Sequence, residues 1–463
     1  MITGNRRCIG FATGIALLLC AFAFGQTKDP PSTGPSQPPA QEVEQTFALH
    51  EVSVFDLAEQ RTEFRHSGST VFCSEAADAN VVAYPAFQSR HPVYGALITY
   101  LPEGQRVPAT HRFALDESGG TGQGYDRLYF DLNRNDNLTD DKVIVPQKNP
   151  PARALDNPRD TPQVLFEAVG LPFPFGTQGE RPIEVLPRLM VLSDQRKMVC
   201  FLPTKARQGQ IQIGECRYDA LLTHDGYQIT GWFDHPQTTL YLESTATHAR
   251  WISGTGRELT GIRHNIGGTF CRFSVTPAGD KLTVRTYTGP LGTFEVVRGD
   301  RKIGTLAMSG SLRSATTTVP VGVDLCDGRP PAPARSCKLP VGDYRLSYLT
   351  VQIDALRVGI LNNYHVDGKP RGKIDPANTY GIAIRADKPF VLEFSRQPQV
   401  LFALPARDHR VKLGEELSVQ AVLIDTGLDV MFRHLTQEKQ LDPKITLARA
   451  NGEIVAEGTM PFG

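Results

Sequence analysis

Short β-type segments broken by turn residues recur along most of the chain, and this pattern limits the fold more than any other feature. Segments rich in Val, Ile, Leu, Thr, Tyr and Phe are separated at short intervals by Gly, Pro, Asp and Asn, a spacing typical of antiparallel sandwiches and barrels. With 34 prolines and 42 glycines there is little room for long helices. The clearest segments are GALITY (95–100), RLYFD (127–131), QVLFEAV (163–169), KLTVRTY (281–287), FVLEF (390–394) and ELSVQAVLI (416–424).

The N-terminal segment has the layout of a secretory signal peptide. Arg6 and Arg7 precede an apolar run from Ile9 to Phe24, and small residues close it, so we predict cleavage after Gly25. A retained membrane helix is disfavoured because glycine and threonine interrupt the run, which is short for the ~20 apolar residues that cross a bilayer. We expect an exported protein, whether periplasmic, at the cell surface or secreted, with no transmembrane segment in the mature chain.

A proline-rich tether follows the signal segment, and the remainder is too long for one ordinary core. The tether reads DPPSTGPSQPPA and offers no apolar side chains to bury. Domains usually span ~100–200 residues, so several are expected. The predicted divisions are a signal peptide (1–25), a linker (26–45), a β domain (46–190), a second β domain (191–300) and a β-sandwich-like, Ig-like region (301–463).

The charge balance argues against nucleic acid as a partner. Lysine plus arginine equals aspartate plus glutamate at 49 each, and no long run of one sign occurs. Electrostatic capture of a polyanion is therefore not expected. A cell-surface polymer or a protein remains open as the partner.

Six cysteines remain once the signal peptide is removed, and disulfides are allowed in an exported protein. Cys326 and Cys337 flank the proline-rich loop DGRPPAPARS, which makes them the favoured disulfide candidate. Two free buried thiols are the alternative. No CxxC spacing occurs, so a zinc ribbon is not supported.

An Asp/Asn-rich loop, YFDLNRNDNLTDDKV (129–143), is the one stretch whose residue types point to a ligand. Oxygen-bearing side chains occupy every second residue, an apolar leucine follows, and two aspartates close the loop. Calcium takes six to eight oxygens, and such alternation on a tight loop can deliver them to one point. The candidate ligands are Asp131, Asn133, Asn135, Asn137, Asp140 and Asp141.

This loop resembles EF-hand-like and dockerin-type calcium loops. The resemblance makes Asp131, Asn133 and Asn135 the side-chain ligands at the first, third and fifth positions. It makes Asn137 a backbone-carbonyl ligand and Leu138 the apolar eighth residue. Two positions depart from the pattern. Asp136 stands where glycine is usual, although aspartate tolerates a left-handed backbone, and Lys142 stands where a bidentate carboxylate is usual.

In this loop Asp140 or Asp141 would have to replace the missing bidentate ligand. The resemblance implies a structural Ca²⁺ ion. An Asx-rich turn without metal is the alternative interpretation of the same residues. A second stretch, HDGYQITGWFD (224–234), carries Tyr227 and Ile229 where oxygens would be needed, so we interpret it as a hairpin without metal.

No specific catalytic motif accompanies the loop. The zinc-protease HExxH, the nucleophile-elbow GxSxG and the phosphate-binding GxxxxGK[ST] do not occur. A glycosidase needs only two well-placed carboxylates, for which Asp116, Glu117, Asp280 and Asp343 are candidates, although turn roles explain them equally well.

Taken whole, the chain resembles exported bacterial multi-β-domain proteins in which FALDESGGTGQGYDRLYFDLN leads into an Asp/Asn-rich loop and Ig-like modules follow. That resemblance implies location and architecture without an activity. The leading hypothesis is a non-catalytic, calcium-stabilised β protein of the cell envelope or exterior with a binding or structural role. The alternatives are a polysaccharide-directed hydrolase and a carbohydrate-binding accessory protein.

Overall fold

The computed structural model describes most of the chain after residue 41. All described residues belong to one compact unit, Ala40–Gly463. They are residues 42–55, 68–99, 109–121, 124–150, 163–174, 180–224, 233–234, 238–248, 250–252, 259, 261–297, 306–314, 317–321, 335–361, 382–393, 399–404, 410, 412, 417–425, 430–437, 439–440, 442 and 444–459. The predicted signal peptide and the predicted linker as far as residue 41 lie outside them.

Strands make up nearly all of the regular structure. The first ten are β1 (Glu42–Ala48), β2 (His50–Ser53), β3 (Ser69–Phe72), β4 (Val93–Thr99), β5 (Ala109–Asp116), β6 (Arg127–Phe130), β7 (Gln163–Leu165), β8 (Val169–Pro174), β9 (Glu180–Val191) and β10 (Lys197–Pro203). The next eleven are β11 (Lys205–Ile213), β12 (Cys216–His224), β13 (Thr238–Ser244), β14 (Arg250–Ile252), β15 (His264–Ile266), β16 (Thr269–Val275), β17 (Lys281–Tyr287), β18 (Leu291–Val297), β19 (Leu306–Arg313), β20 (Thr318–Val321) and β21 (Ser336–Pro340). The last ten are β22 (Gly342–Ile353), β23 (Leu356–Leu361), β24 (Ile382–Ile384), β25 (Phe390–Glu393), β26 (Gln399–Leu404), β27 (Gln420–Asp425), β28 (Val430–Gln437), β29 (Lys439–Gln440), β30 (Lys444–Ala448) and β31 (Ile454–Thr459).

The first core lies between the sheet β3-β10-β9-β7, to which β8 adds through β9, and the three-stranded sheet β4-β5-β6. Three fully buried phenylalanines connect the sheets. Phe201 of β10 meets Phe113 edge-on at 5.6 Å between ring centroids and lies 5.5 Å from Phe130, the last residue of β6. Offset and edge-to-face aromatic pairs add to ordinary burial. This layer therefore fixes the end of β6, where the Asp/Asn-rich loop begins.

The second core lies between the sheets β14-β13-β12-β11-β2 and β1-β17-β16-β15. β1 pairs with β17 and β2 pairs with β11, where Lys205 faces Ser53. The strands β3 to β10 are thus inserted between two neighbouring strands of this second unit. The predicted domains, 46–190 and 191–300, are consecutive stretches of the chain. In the structure, residues 42–53 pair instead with strands of residues 205–287 and belong to their sheets. β1 also begins before the predicted linker end at residue 45, because Glu42 already pairs with Tyr287.

The third core lies between the three-stranded sheet β21-β18-β25 and a nine-stranded sheet. The nine-stranded sheet has the order β20-β19-β22-β23-β28-β27-β26, to which β24 adds through β22 and β29 through β28. β18 and β25 pair in parallel, while the other strand pairs of these sheets are antiparallel. The predicted fold class, several mainly antiparallel β modules, is confirmed. Among the described residues, no helix combines the length and apolar character needed to cross a membrane.

Candidate metal site

The Asp/Asn-rich loop starts at the buried end of β6 and returns to the core at one leucine. Phe130 is fully buried, Asp131 directly after it has no exposed surface, and Leu138 is 1% exposed. Leu138 packs with Tyr94 and Tyr129 on the face of the β4-β5-β6 sheet opposite the first core. Both ends of the loop are therefore anchored in apolar packing, and residues 133–137 project between them.

The buried carboxylate of Asp131 holds the turn of the loop by accepting hydrogen bonds from its backbone. Its Oδ1 accepts a hydrogen bond from the backbone N–H of Asn135 at 3.1 Å, and its Oδ2 accepts one from Asp136 at 3.0 Å. A fully buried carboxylate needs such partners, because burying an unpaired charge is costly. Asp131 is thus a structural centre of the loop.

Each asparagine of the series then caps the residue two positions on. The backbone N–H groups of Asn135, Asn137 and Thr139 donate to the Oδ1 atoms of Asn133, Asn135 and Asn137 at 3.0, 2.9 and 3.0 Å. These are successive Asx turns, the local bonding that favours Asn and Asp in loops. Arg134 and Asp136 take left-handed backbone conformations with φ of 61° and 62°. Asp136 therefore adopts the conformation usually left to glycine at the sixth position.

Asp140 and Asp141, which close the loop, lie close to the asparagine side chains and to each other. The amide of Asn135 donates to Oδ2 of Asp140 at 2.7 Å, and the backbone N–H of Leu132 donates to Oδ2 of Asp141 at 3.3 Å. Burial raises the pKa of Asp141 above its ordinary value, and the charges of Asp140 and Asp131 add to the rise, while the Leu132 N–H opposes it. The loop thus gathers negative charge that a cation would relieve.

The predicted ligands nevertheless do not form a closed cluster of carboxylates. Among the described residues, no group of three or more His, Cys, Asp or Glu side chains is placed to hold a metal ion. The side-chain oxygens of the central part of the loop belong mainly to asparagines, which bind calcium but fall outside such a group.

An arginine that sequence reasoning missed clamps the loop from behind. Arg112 of β5 donates through Nε to Asp78 at 2.9 Å and through Nη1 to Asp136. The backbone of Asp136 and Leu138 also bonds to Val82 and Ala83, in a short parallel bridge. Arg112 therefore links the loop to residues 78–84, and no sequence spacing signals this, since the three charges are far apart in the chain.

His111 supports the loop from the core side. Its Nδ1 lies 2.8 Å from the carbonyl oxygen of Asp131, so the ring N–H donates a hydrogen bond to that oxygen. The ring also stacks on Phe130, with 5.6 Å between the ring centroids. Burial lowers the pKa of His111, with the bond to Asp131 opposing the shift. A neutral ring is favoured, and it holds the backbone of the first loop residue in place.

Replacing Arg112 with methionine should lower the free energy of unfolding by about 3 kcal/mol. Two hydrogen bonds between charged groups are lost, each worth ~1.5–3 kcal/mol, and the lower value applies because the Asp78 and Asp136 side chains are 31% and 35% exposed. Urea denaturation measures the change. Arg196→Met is the matched control, because its pair with Asp194 is solvent-exposed (side chains 64% and 49% exposed) and such pairs contribute ~0–1 kcal/mol. Equal effects of the two substitutions would contradict the clamp.

The carboxylates considered for hydrolysis serve turns and ion pairs. Asp116 is fully buried and accepts hydrogen bonds from the backbone N–H groups of Gln88 and Ser89. Glu117 accepts hydrogen bonds from the backbone N–H of Gly124 and from the Thr121 hydroxyl. Asp280 accepts the Thr276 hydroxyl, and Asp343 pairs with Arg385. Each of these carboxylates has a structural partner.

The predicted disulfide and the second Asp-containing stretch lie only partly within the described residues. Cys337 lies on β21, partly buried against the third core, whereas Cys326 lies outside the described residues. The disulfide therefore stays a prediction. Of the second Asp-containing stretch, residues 225–232 also lie outside the described residues.

The chain matches no protein-family model, no curated protein and no solved structure. What the loop can bind must therefore be inferred from its own residues and their surroundings.

Proposed function

We propose that this chain is an exported, non-catalytic β protein of the cell envelope or exterior, that a structural calcium ion stabilises it through the 131–141 loop, and that it has a binding or structural role. The observation that carries the proposal is the buried Asp131 carboxylate, which bonds the backbone of Asn135 and Asp136. Successive Asx turns fold the asparagine-rich loop beside it. The signal-type N-terminus supports export.

The donor chemistry of the loop fits a hard cation. Calcium takes six to eight oxygens in flexible geometry, and carboxylates, amides and backbone carbonyls are its usual protein ligands. Asp131, Asn133 and Asn135 would supply side-chain oxygens, Asn137 a carbonyl, and Asp140 or Asp141 the closing carboxylate. Because the Asp131 oxygens already bond the loop backbone, an ion held there would stiffen the loop and the segment that Arg112 ties to it.

We also propose that the region 301–463 is an Ig-like sandwich, which β18 completes by pairing with β21 and β25. Its support is the core shared by two facing sheets and the crossover that brings β18 beside β25. Sandwiches of this class have ~100 residues and bury alternate side chains from both sheets.

Calcium should raise the free energy of unfolding of the mature chain (26–463) by about 2.7 kcal/mol when the free ion is at a hundredfold its dissociation constant. Thermal unfolding with excess calcium, and with a chelator, measures this difference. Asn133→Ala should abolish the calcium effect while leaving the chelated protein folded, because the Asn133 side chain is exposed and bonds only within the loop, to the Asn135 backbone at 3.0 Å and to Asp140 at 3.5 Å.

Asn451→Ala is the matched control, since its Oδ1 makes a similar exposed Asx turn with Glu453 in another hairpin. It should keep the full calcium response. Identical unfolding with calcium and with chelator would reject the metal and leave an Asx-rich turn.

A further inference from the structure

Two arginines face each other on the outer side of the nine-stranded sheet. Cross-strand pairing sets Arg313 of β19 opposite Arg345 of β22, in a row that continues to Thr318 of β20. Both side chains lie on the face away from the third core, because their neighbours Leu312 and Leu346 are buried in that core. Directly opposed residues have Cβ atoms ~4.5–5.5 Å apart, so the two guanidinium groups can reach one ligand.

No carboxylate neutralises this arginine pair within the described part of the chain. Neither side chain forms an ion pair or a hydrogen bond there. The acid two residues before Arg345 on β22 is Asp343, and it bonds instead to Arg385 at 2.6 Å. Arg345 is half-buried, and burial lowers the pKa of its guanidinium, with the positive charge of Arg313 lowering it further. A partly buried cation without a counter-charge is unfavourable.

A similar arginine pair in the second unit is neutralised by the chain itself. Arg272 of β16 faces Arg285 of β17, and the two bond to the carboxylates of Glu42 and Glu44 on β1. Like charges directly opposite each other destabilise a sheet, and the two glutamates offset that repulsion. The pair on β19 and β22 has the same cross-strand arrangement, but among the described residues it has no such glutamates.

Two opposed guanidinium groups have the chemistry that holds an oxyanion. Guanidinium is planar, stays charged and donates paired hydrogen bonds to carboxylate, sulfate or phosphate oxygens. The next row on the same face pairs Ser311 with Tyr348, which adds hydroxyl groups and no charge. An anion would therefore supply the counter-charge that this part of the sheet lacks.

We propose that Arg313 and Arg345 together bind one oxyanion, which is the carboxylate, sulfate or phosphate group of either a free anion or an acidic polymer. The anion bridges the two guanidinium groups, as the β1 glutamates do for the arginines of β16 and β17. The site shares no residue with the 131–141 loop, so oxyanion binding and calcium binding can be tested separately.

Isothermal titration calorimetry of the mature chain (26–463) with inorganic phosphate, at constant ionic strength, tests this site. Arg313→Met and Arg345→Met keep the apolar stem, and each should raise the dissociation constant about tenfold or more, as expected when a hydrogen bond to a charged group is lost. Arg357→Met is the matched control, because Arg357 is an exposed arginine of the same sheet that faces Gln352 and Thr436. It should leave phosphate binding unchanged.

Thermal unfolding in chloride, without phosphate, gives a second readout of opposite sign. The two arginines repel each other when no anion is bound, so Arg313→Met and Arg345→Met should each raise the transition temperature, whereas Arg357→Met should not. Phosphate stabilises proteins in general, and that effect is common to all the chains. The additional stabilisation from site binding should appear only in the native chain and in Arg357→Met.

Polygalacturonate, a polymer that carries carboxylates, distinguishes the two sources of the anion. Binding of the polymer would assign the oxyanion to an acidic polymer, and binding of phosphate alone would assign it to a free anion. Binding of neither, or equal binding by the native chain and both arginine variants, would overturn the proposal. A fall in transition temperature for both variants in chloride would do the same, because it would mean that the arginines already have a counter-charge within the chain.

Discussion

Glu42→Ala should lower the free energy of unfolding by about 3–5 kcal/mol, the loss expected when one partner of a buried ion pair is removed. Glu42 opens β1 and receives hydrogen bonds from Arg263, at 2.6 Å, and from Arg272. The side chains of Glu42 and Arg263 are only 13% and 7% exposed. Without the carboxylate, a buried guanidinium loses its counter-charge.

The ion cluster of Glu42, Arg263 and Arg272 lies where the second and third cores meet, so it stabilises the contact between them. Phe270 and Tyr287 share its face of the β1-β17-β16-β15 sheet and pack against the third core. The Arg263 guanidinium lies over the Tyr287 ring at 4.6 Å from its centroid, a favourable cation–π geometry. Removing Glu42 should therefore loosen the contact between the second and third cores as well as β1.

Chemical denaturation of Glu42→Ala beside Glu44→Ala checks this prediction. Glu44 occupies the same strand and pairs with Arg285 at 2.7 Å, but the two side chains are 56% and 44% exposed, so its loss should cost ~0–1 kcal/mol. A difference of less than 1 kcal/mol between the two variants would mean that the buried pair contributes no more than the exposed one.

The contribution of Glu42 should also disappear in acid. Burial alone would raise its pKa, but hydrogen bonds and charge from Arg272 and Arg263 outweigh burial and hold the pKa below its ordinary value of 4.5. A carboxyl group with a lowered folded-state pKa stabilises the fold above its unfolded pKa. That stability is lost as the pH falls through the folded-state pKa. The stability gap between the native chain and Glu42→Gln should therefore narrow below about pH 4.5.

The local β pattern could be predicted from the sequence because it depends on neighbouring residues. KLTVRTY (281–287) coincides with β17, RLYFD (127–131) contains β6, and GALITY (95–100) lies mostly within β4. QVLFEAV (163–169) instead divides between β7 and β8. Both pair with β9, and Pro187 of β9, which has no N–H, lies opposite the break, where Phe166 donates to its carbonyl.

Strand partners could not be predicted in the same way. Nothing within HEVS (50–53) indicates that it pairs with residues 205–208, because backbone hydrogen bonds carry no sequence code and the inserted unit separates the partners. The same reason hid the Arg112 clamp. Its partners Asp78 and Asp136 stand on two separate loops, brought together only when β4, β5 and β6 form a sheet.

The candidate site shows the same division between local and distant information. The alternation of Asn133, Asn135 and Asn137 predicted a tightly turning loop, and their Asx turns involve only residues two positions apart. Full burial of Asp131 could not be predicted, because it results from packing of Phe130 in a core assembled from distant strands. Calcium binding stays a prediction.

Phe130→Ala should lower the free energy of unfolding by about 3–5 kcal/mol, the usual range for removing a buried phenylalanine ring from a core. Phe130 is fully buried and contacts His111, Phe113 and Phe201 with ring-centroid distances of 5.6, 6.3 and 5.5 Å. The cavity would lie beneath both sheets of the first core. The substitution would also remove the ring on which His111 stacks, and His111 is the residue that bonds the backbone of Asp131.

Phe72→Ala is the matched control for size and residue type. Its ring is 58% exposed and contacts Arg196 at 5.3 Å, so its removal should cost less than about 1 kcal/mol. Phe130→Leu should recover a large part of the loss, because leucine refills much of the cavity. Amide hydrogen exchange at Asn135 and Asp136, which donate to Asp131, should accelerate in Phe130→Ala beyond the global change. If exchange there follows only global stability, the loop does not depend on the Phe130 ring for its anchorage.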